Sequence, residues 1–90
     1  MFTGIIEETG VVEAIQPTDG SFRLSVRLRK TGGGLKMGDS LAVNGCCLTI
    51  AQFDSKGQDK IVQFDLLHET WSVTNLQYCV AGSVVNLERS

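Results

Sequence analysis

The sequence lacks the marks of several large functional classes. Its 90 residues hold one histidine and three cysteines, with no Cys-x-x-Cys pair, so nothing has the spacing of a zinc or iron site and no metal is expected. Two of the cysteines are the neighbours Cys46 and Cys47. An odd count leaves one thiol over and adjacent residues bridge only with strain, so a disulfide framework is excluded and free thiols in a reducing compartment are expected. One proline beside ten glycines, with 42% hydrophobic and 20% charged residues, describes an ordinary globular protein rather than a disordered one. Positive charge is not in excess either. The formal net charge is −2, whereas nucleic-acid binders rest on clustered Lys and Arg. The opening Met1-Phe2-Thr3-Gly4-Ile5-Ile6-Glu7-Glu8 has no basic region and no long apolar run, so neither a leader nor a membrane span is expected and the domain is placed in the cytoplasm. The 90 residues make one domain, 1–90, since cores divide only in much longer chains.

What is present is β-pattern. Phe22-Arg23-Leu24-Ser25-Val26-Arg27-Leu28-Arg29 alternates apolar and polar residues without a fault, the period of a strand with one buried face. Gly32-Gly33-Gly34 breaks the chain, and a second alternating run follows Gly38-Asp39, with Leu41 and Val43 on one side and Ser40 and Ala42 on the other. Asn44-Gly45 suits a type I′ turn and predicts a hairpin into Cys47-Leu48-Thr49-Ile50. Ile61–Leu67 and Gly82–Leu87 add two strands, and the opening stretch to Ile15 supplies another. Glu69–Leu76 has room for a short helical turn with Thr70 at its N-cap. Six strands with Gly-rich turns predict an all-β, six-stranded antiparallel barrel with one or two short helical turns; a small sandwich is the alternative.

Met1-Phe2-Thr3-Gly4-Ile5-Ile6, the central Gly38-Asp39-Ser40-Leu41-Ala42-Val43-Asn44-Gly45-Cys46-Cys47-Leu48-Thr49, and Phe64-Asp65-Leu66, Glu69-Thr70, Thr74-Asn75-Leu76 and Val85-Asn86-Leu87-Glu88-Arg89 resemble riboflavin synthase in order and spacing. Together they cover the N-terminal, lumazine-binding barrel of that family from end to end. The resemblance implies a Greek-key barrel and a transferase of riboflavin biosynthesis. In its reaction two molecules of 6,7-dimethyl-8-ribityllumazine exchange a four-carbon unit, giving riboflavin and a pyrimidinedione without metal or redox cofactor. It also implies a second barrel after Ser90, with the catalytic site between the first barrel of one subunit and the second of a neighbour. The ligand-contacting positions it implies are Gly4, Ile5, Ile6, Cys47, Leu48, Thr49, Asp65, Leu66, Leu67, His68, Glu69 and Thr70, with Phe2 and Ser40 as further candidates. The sequence departs from the family at Trp71, where a smaller aliphatic residue is common, at His68, and in the Gln58-Asp59-Lys60 loop.

A pteridine or flavin ring offers an edge of amide-like donors and acceptors, best met by backbone groups at strand ends with apolar side chains on the ring faces. Gly4, Ile5, Ile6, Leu48, Leu66 and Leu67 would act in this way; the three leucines read equally as barrel core. The ribityl hydroxyls call for short polar groups, and Thr49, Asp65, His68, Glu69 and Thr70 supply them, though each also suits a turn or cap. For the chemistry, loss of a proton from the 7-methyl group and nucleophilic addition to the partner ring, the candidates are Cys47, Ser40 and Phe2. No Lys or Arg lies within several residues of Cys47 to activate it, so an inert buried thiol is the alternative; Cys46 and Cys79 are assigned to the core.

Two further readings remain. One is a non-catalytic carrier of a lumazine or flavin, similar to lumazine protein. The other is an oligonucleotide-binding barrel, suggested by Arg23, Arg27, Arg29 and Lys30 on one outward face, although no stacking aromatic alternates with them and Phe22 has the inward parity. Size narrows the site. A six-stranded barrel is filled by its own side chains, so a tricyclic ring must lie in a surface groove with one face wet. An isolated copy is therefore expected to pair as a homodimer, with weak turnover or none.

Overall fold

The computed structural model describes residues 8–29 and 35–89. Its strands are β1 (Glu8–Thr18), β2 (Ser21–Leu28), β3 (Ser40–Val43), β4 (Cys46–Thr49), β5 (Gln52–Lys56), β6 (Asp59–Leu67) and β7 (Val84–Arg89), with helix α1 (His68–Val73) and a 3-10 turn at Asn75–Tyr78 between β6 and β7. All pair antiparallel in one curled sheet of order β4-β3-β7-β1-β2-β6-β5. The expected all-β Greek-key barrel is the observed architecture.

The six expected strands become seven because one of them bends. Ile50 N–H donates to the Asp39 carbonyl at 2.9 Å, still serving β3, while the next residue, Ala51, donates to the Gln63 carbonyl of β6 at 2.8 Å. β4 and β5 are thus one run that begins against β3, turns at Ile50–Ala51 and ends against β6, so the chain itself joins the two ends of the sheet. Its second half escaped the sequence pattern because Gln52-Phe53-Asp54-Ser55-Lys56 offers one apolar side chain among five. The Asn44-Gly45 turn forms as expected, both residues at positive φ (50° and 82°) as a type I′ turn requires.

Alternation fills the barrel. Leu24, Val26 and Leu28 of β2, Leu41 and Val43 of β3, and Val62, Phe64 and Leu66 of β6 are all buried, and Leu76 of the 3-10 turn joins the same cluster from one end. Gly10 lies where β1 passes between β7 and β2, too close to both for any side chain.

The expected helix begins elsewhere. Leu67, not Thr70, occupies the N-cap, extended at φ −63° and ψ 150° with no side-chain bond, and Thr70 lies inside α1. Tertiary docking wins over the capping signal: Trp71 packs on the core and its ring stacks on Phe22 at 4.8 Å. The Thr74 hydroxyl ties the far end by donating to the Thr70 carbonyl at 2.9 Å.

Candidate functional site: a splayed strand junction

Backbone parity shows where the sheet leaves strand edges open. In antiparallel strands a residue's N–H and C=O point the same way and successive residues alternate. Gln63 turns its carbonyl towards β5, so Asp65 and Leu67 turn theirs to that side as well. Pairing with β5 stops at Gln52↔Gln63, which leaves the inner edge of Phe64–Leu67 without a strand partner among the described residues. On β4 the Ile50 N–H faces β3, so Cys47 and Thr49, of opposite parity, turn their backbone groups away from β3. β4 ends the sheet on that side. Two open edges therefore diverge from the Ala51–Gln63 junction, β4 with Cys47 and Thr49 on one flank, β6 with Asp65 and Leu67 on the other. α1 follows directly at the wide end.

This junction gathers much of the residue set expected from the sequence. Cys47 and Thr49 are exposed; Ser40 sits opposite Thr49 in register and is half-buried. Leu67 is 67% exposed, as are His68 and Glu69 in the first turn of α1, while Thr70 is half-buried. Two of the three leucines go to the core: Leu48 and Leu66 are 6% and 2% exposed, so their side chains turn from the cleft. Phe2, Gly4, Ile5 and Ile6 lie outside the described residues.

Sequence reasoning missed two features. The first is the ring cluster of Phe22, His68 and Trp71, whose signal was an inward-parity aromatic at a strand start facing residues spaced i, i+3 on a short helix. The second is the neutralisation of the basic face. Arg23 forks onto Asp65 through Nε–Oδ1 at 2.9 Å and Nη2–Oδ2 at 3.1 Å, Arg27 pairs with Glu13, and Arg29 Nε lies 2.6 Å from Asp59 Oδ1. Lys30 lies outside the described residues. Each described arginine of that face already holds a carboxylate, which removes the free cationic stripe that phosphate binding needs. These exposed pairs add little stability, but the fork fixes Asp65 on β6.

All three described cysteines are free thiols. Burial, and secondarily the neighbouring Cys47, pushes the Cys46 thiol up from 9.0; burial alone raises Cys79. Both are half-buried, whereas Cys47 is exposed rather than an inert core residue. Since the thiolate is the nucleophile, iodoacetamide at neutral pH should label Cys47 first. Peptide mass spectrometry at partial labelling tests this; Cys46 or Cys79 leading would overturn the order.

Residues 3–90 match the family described as the lumazine binding domain. The chain belongs to that family. It is similar along its whole length to the riboflavin synthases of Bacillus amyloliquefaciens (43% identical over 90 residues) and Bacillus subtilis (42% over 90), of each of which it covers 40%. It is likewise similar to that of Schizosaccharomyces pombe, 40% identical over 91 residues and 42% covered. This lumazine-binding domain matches the N-terminal half of riboflavin synthase and spans well under two thirds of those relatives. A crystal structure of LumP complexed with 6,7-dimethyl-8-(1′-D-ribityl)lumazine superposes with a TM-score of 0.85 at 28% identity, over all of this chain and 49% of that one.

Proposed function

We propose that this lumazine-binding domain is the first barrel of a riboflavin synthase and holds riboflavin or 6,7-dimethyl-8-ribityllumazine in the junction between β4 and β6. The observation that carries the reading is the pair of open strand edges. Backbone donors and acceptors of Cys47, Thr49, Asp65 and Leu67 match the amide-like edge of such a ring, and a filled core confines the ring to the surface. Leu67, with Gly4, Ile5 and Ile6, would lie against the ring. Thr49, His68, Glu69 and Thr70 supply hydroxyl, imidazole and carboxylate partners for the ribityl chain.

In the whole enzyme one lumazine gives a four-carbon unit to another, so a 7-methyl proton must leave one ring while the other accepts a nucleophile. Cys47 and Ser40, diagonal neighbours on β4 and β3, are the groups we assign to assist, and Phe2 is a third candidate. No metal or redox cofactor enters this scheme. A surface cleft leaves one ring face wet until a second protein surface covers it. The isolated barrel would pair as a homodimer, bind ligand, and turn over weakly or not at all without the second barrel. Free thiols suit a reducing, cytoplasmic compartment, and among the described residues no helix is long and apolar enough to cross a membrane.

Titration with riboflavin tests the reading. Trp71, the sole tryptophan, should lose emission as flavin fills the cleft beside α1. The melting temperature should rise as linkage requires, by the equivalent of about 2.7 kcal/mol at a hundredfold excess over Kd. Unchanged melting and unchanged emission at micromolar riboflavin would sink it. The LumP likeness supports a second reading, a non-catalytic lumazine carrier; assay of lumazine turnover by this barrel joined to a second one separates the two.

A further inference from the structure

Helix α1 has six residues and no buried side chain of its own, and its N-cap carries no side-chain hydrogen bond. A helix of this length does not hold in water by itself, since nucleation costs more than so few bonds return. Its position must come from docking. The rings in contact with it belong to one cluster: Phe22 of β2 stacks on Trp71 with centroids 4.8 Å apart and planes at 28°, and also meets the His68 ring at 4.6 Å and 45°. His68 and Trp71 are spaced i, i+3 and share the helix face turned to Phe22. Glu69 and Thr70 fall on the other flank. Phe22 is itself fixed, opposite Leu66 in the β2–β6 ladder, so β2, paired to the β6 wall of the cleft, sets the helix at its end.

We propose that Phe22 and Trp71 form an aromatic clamp that positions α1, and through it Glu69 and Thr70, for the hydroxylated chain of the ligand. They are positioning residues: the clamp selects ligands that carry the chain and leaves the bare ring unaffected. The proposal rests on the reading that the cleft binds a ribityl-bearing ring. The clamp also leaves α1 readily opened, because the contacts of Phe22 with Trp71 and His68, with the Thr74–Thr70 hydrogen bond at the far end, are what hold so short a helix. An occupied cleft should therefore quieten Trp71.

The test compares riboflavin with lumiflavin, the same tricycle with methyl in place of ribityl, on the wild-type domain and on Phe22→Leu, Trp71→Leu and Trp71→Phe. Phe22→Leu keeps an apolar side chain at the inward position and retains Trp71 as reporter. Riboflavin affinity should fall roughly 2- to 12-fold in both leucine variants, the factor into which an aromatic pair's coupling converts. It should be restored in Trp71→Phe, while lumiflavin affinity stays the same throughout. Trp71 anisotropy in Phe22→Leu should be lower than in the wild type without ligand and rise more on adding riboflavin. Equal weakening of both ligands, or no weakening of either, overturns the clamp and assigns the stack to stability alone. A wild-type domain that binds neither ligand overturns the binding reading itself, and the clamp with it.

Discussion

Replacing Phe64 by alanine is expected to remove a large share of the domain's stability and to leave a fold that melts far below the wild type. Phe64 is fully buried, the largest such side chain among the described residues, and lies near the centre of β6, paired with Leu24 of β2. Truncating a core phenylalanine costs about 3–5 kcal/mol, because transfer energy is lost and the surrounding sheet collapses only partly into the void. A chain of 90 residues has roughly 5–13 kcal/mol in total, and a small domain buries a smaller share of its surface than a large one, which favours the lower end. The barrel has one core, so nothing elsewhere compensates. Denaturant unfolding should show a midpoint far below the wild type with an unchanged slope. A midpoint within a few tenths molar of the wild type would mean that β6 is not packed as described.

A methyl group at Gly10 is expected to reverse the usual sign of a glycine-to-alanine change. At a permissive position that substitution stabilises by about 0.4–1 kcal/mol through the unfolded chain. At Gly10 a Cβ would lie 2.8 Å from Leu87 Cδ1, 2.9 Å from Val26 Cγ1 and 2.9 Å from the Arg27 carbonyl oxygen. The two side chains can turn aside, but the carbonyl belongs to a ladder and cannot. Overpacking of this kind costs about 1–3 kcal/mol, so Gly10→Ala should melt lower, and Gly10→Val lower still. A higher melting temperature for Gly10→Ala would show that β1 has slack between β7 and β2.

How far the sequence could be read depended on whether a feature was local. The unbroken alternation of Phe22–Arg29 put Leu24, Val26 and Leu28 inside as expected, and Asn44-Gly45 determined its own turn through two positive φ angles. β5 was illegible because its partner Asp59–Gln63 supplies the order that its own polar residues do not. Thr70 looked like a cap on local chemistry and became an interior helical residue once Trp71 found Phe22, forty-nine positions earlier in the chain. The arginines of β2 looked like a free basic face; only the register that sets Arg23 beside Asp65 showed them engaged. Of the candidate site, residue types pointed to Cys47, Thr49, Asp65 and Leu67 through family likeness, but the reason they lie together is a bend at Ile50–Ala51 that no side chain announces. The same bend explains why Leu48 and Leu66, within the same segments, turn their side chains to the core instead.

That bend has an evolutionary corollary. A recognition surface composed of main-chain donors and acceptors is specified by where the strands part, not by which side chains decorate them, so most substitutions along its margins leave its hydrogen-bonding code untouched. Sequence can then drift far while the fold persists, as the 28% identity at a TM-score of 0.85 to the LumP structure illustrates. Ligand preference in such a scaffold is free to evolve at the periphery, through the short helix and the loops, with the barrel itself held constant.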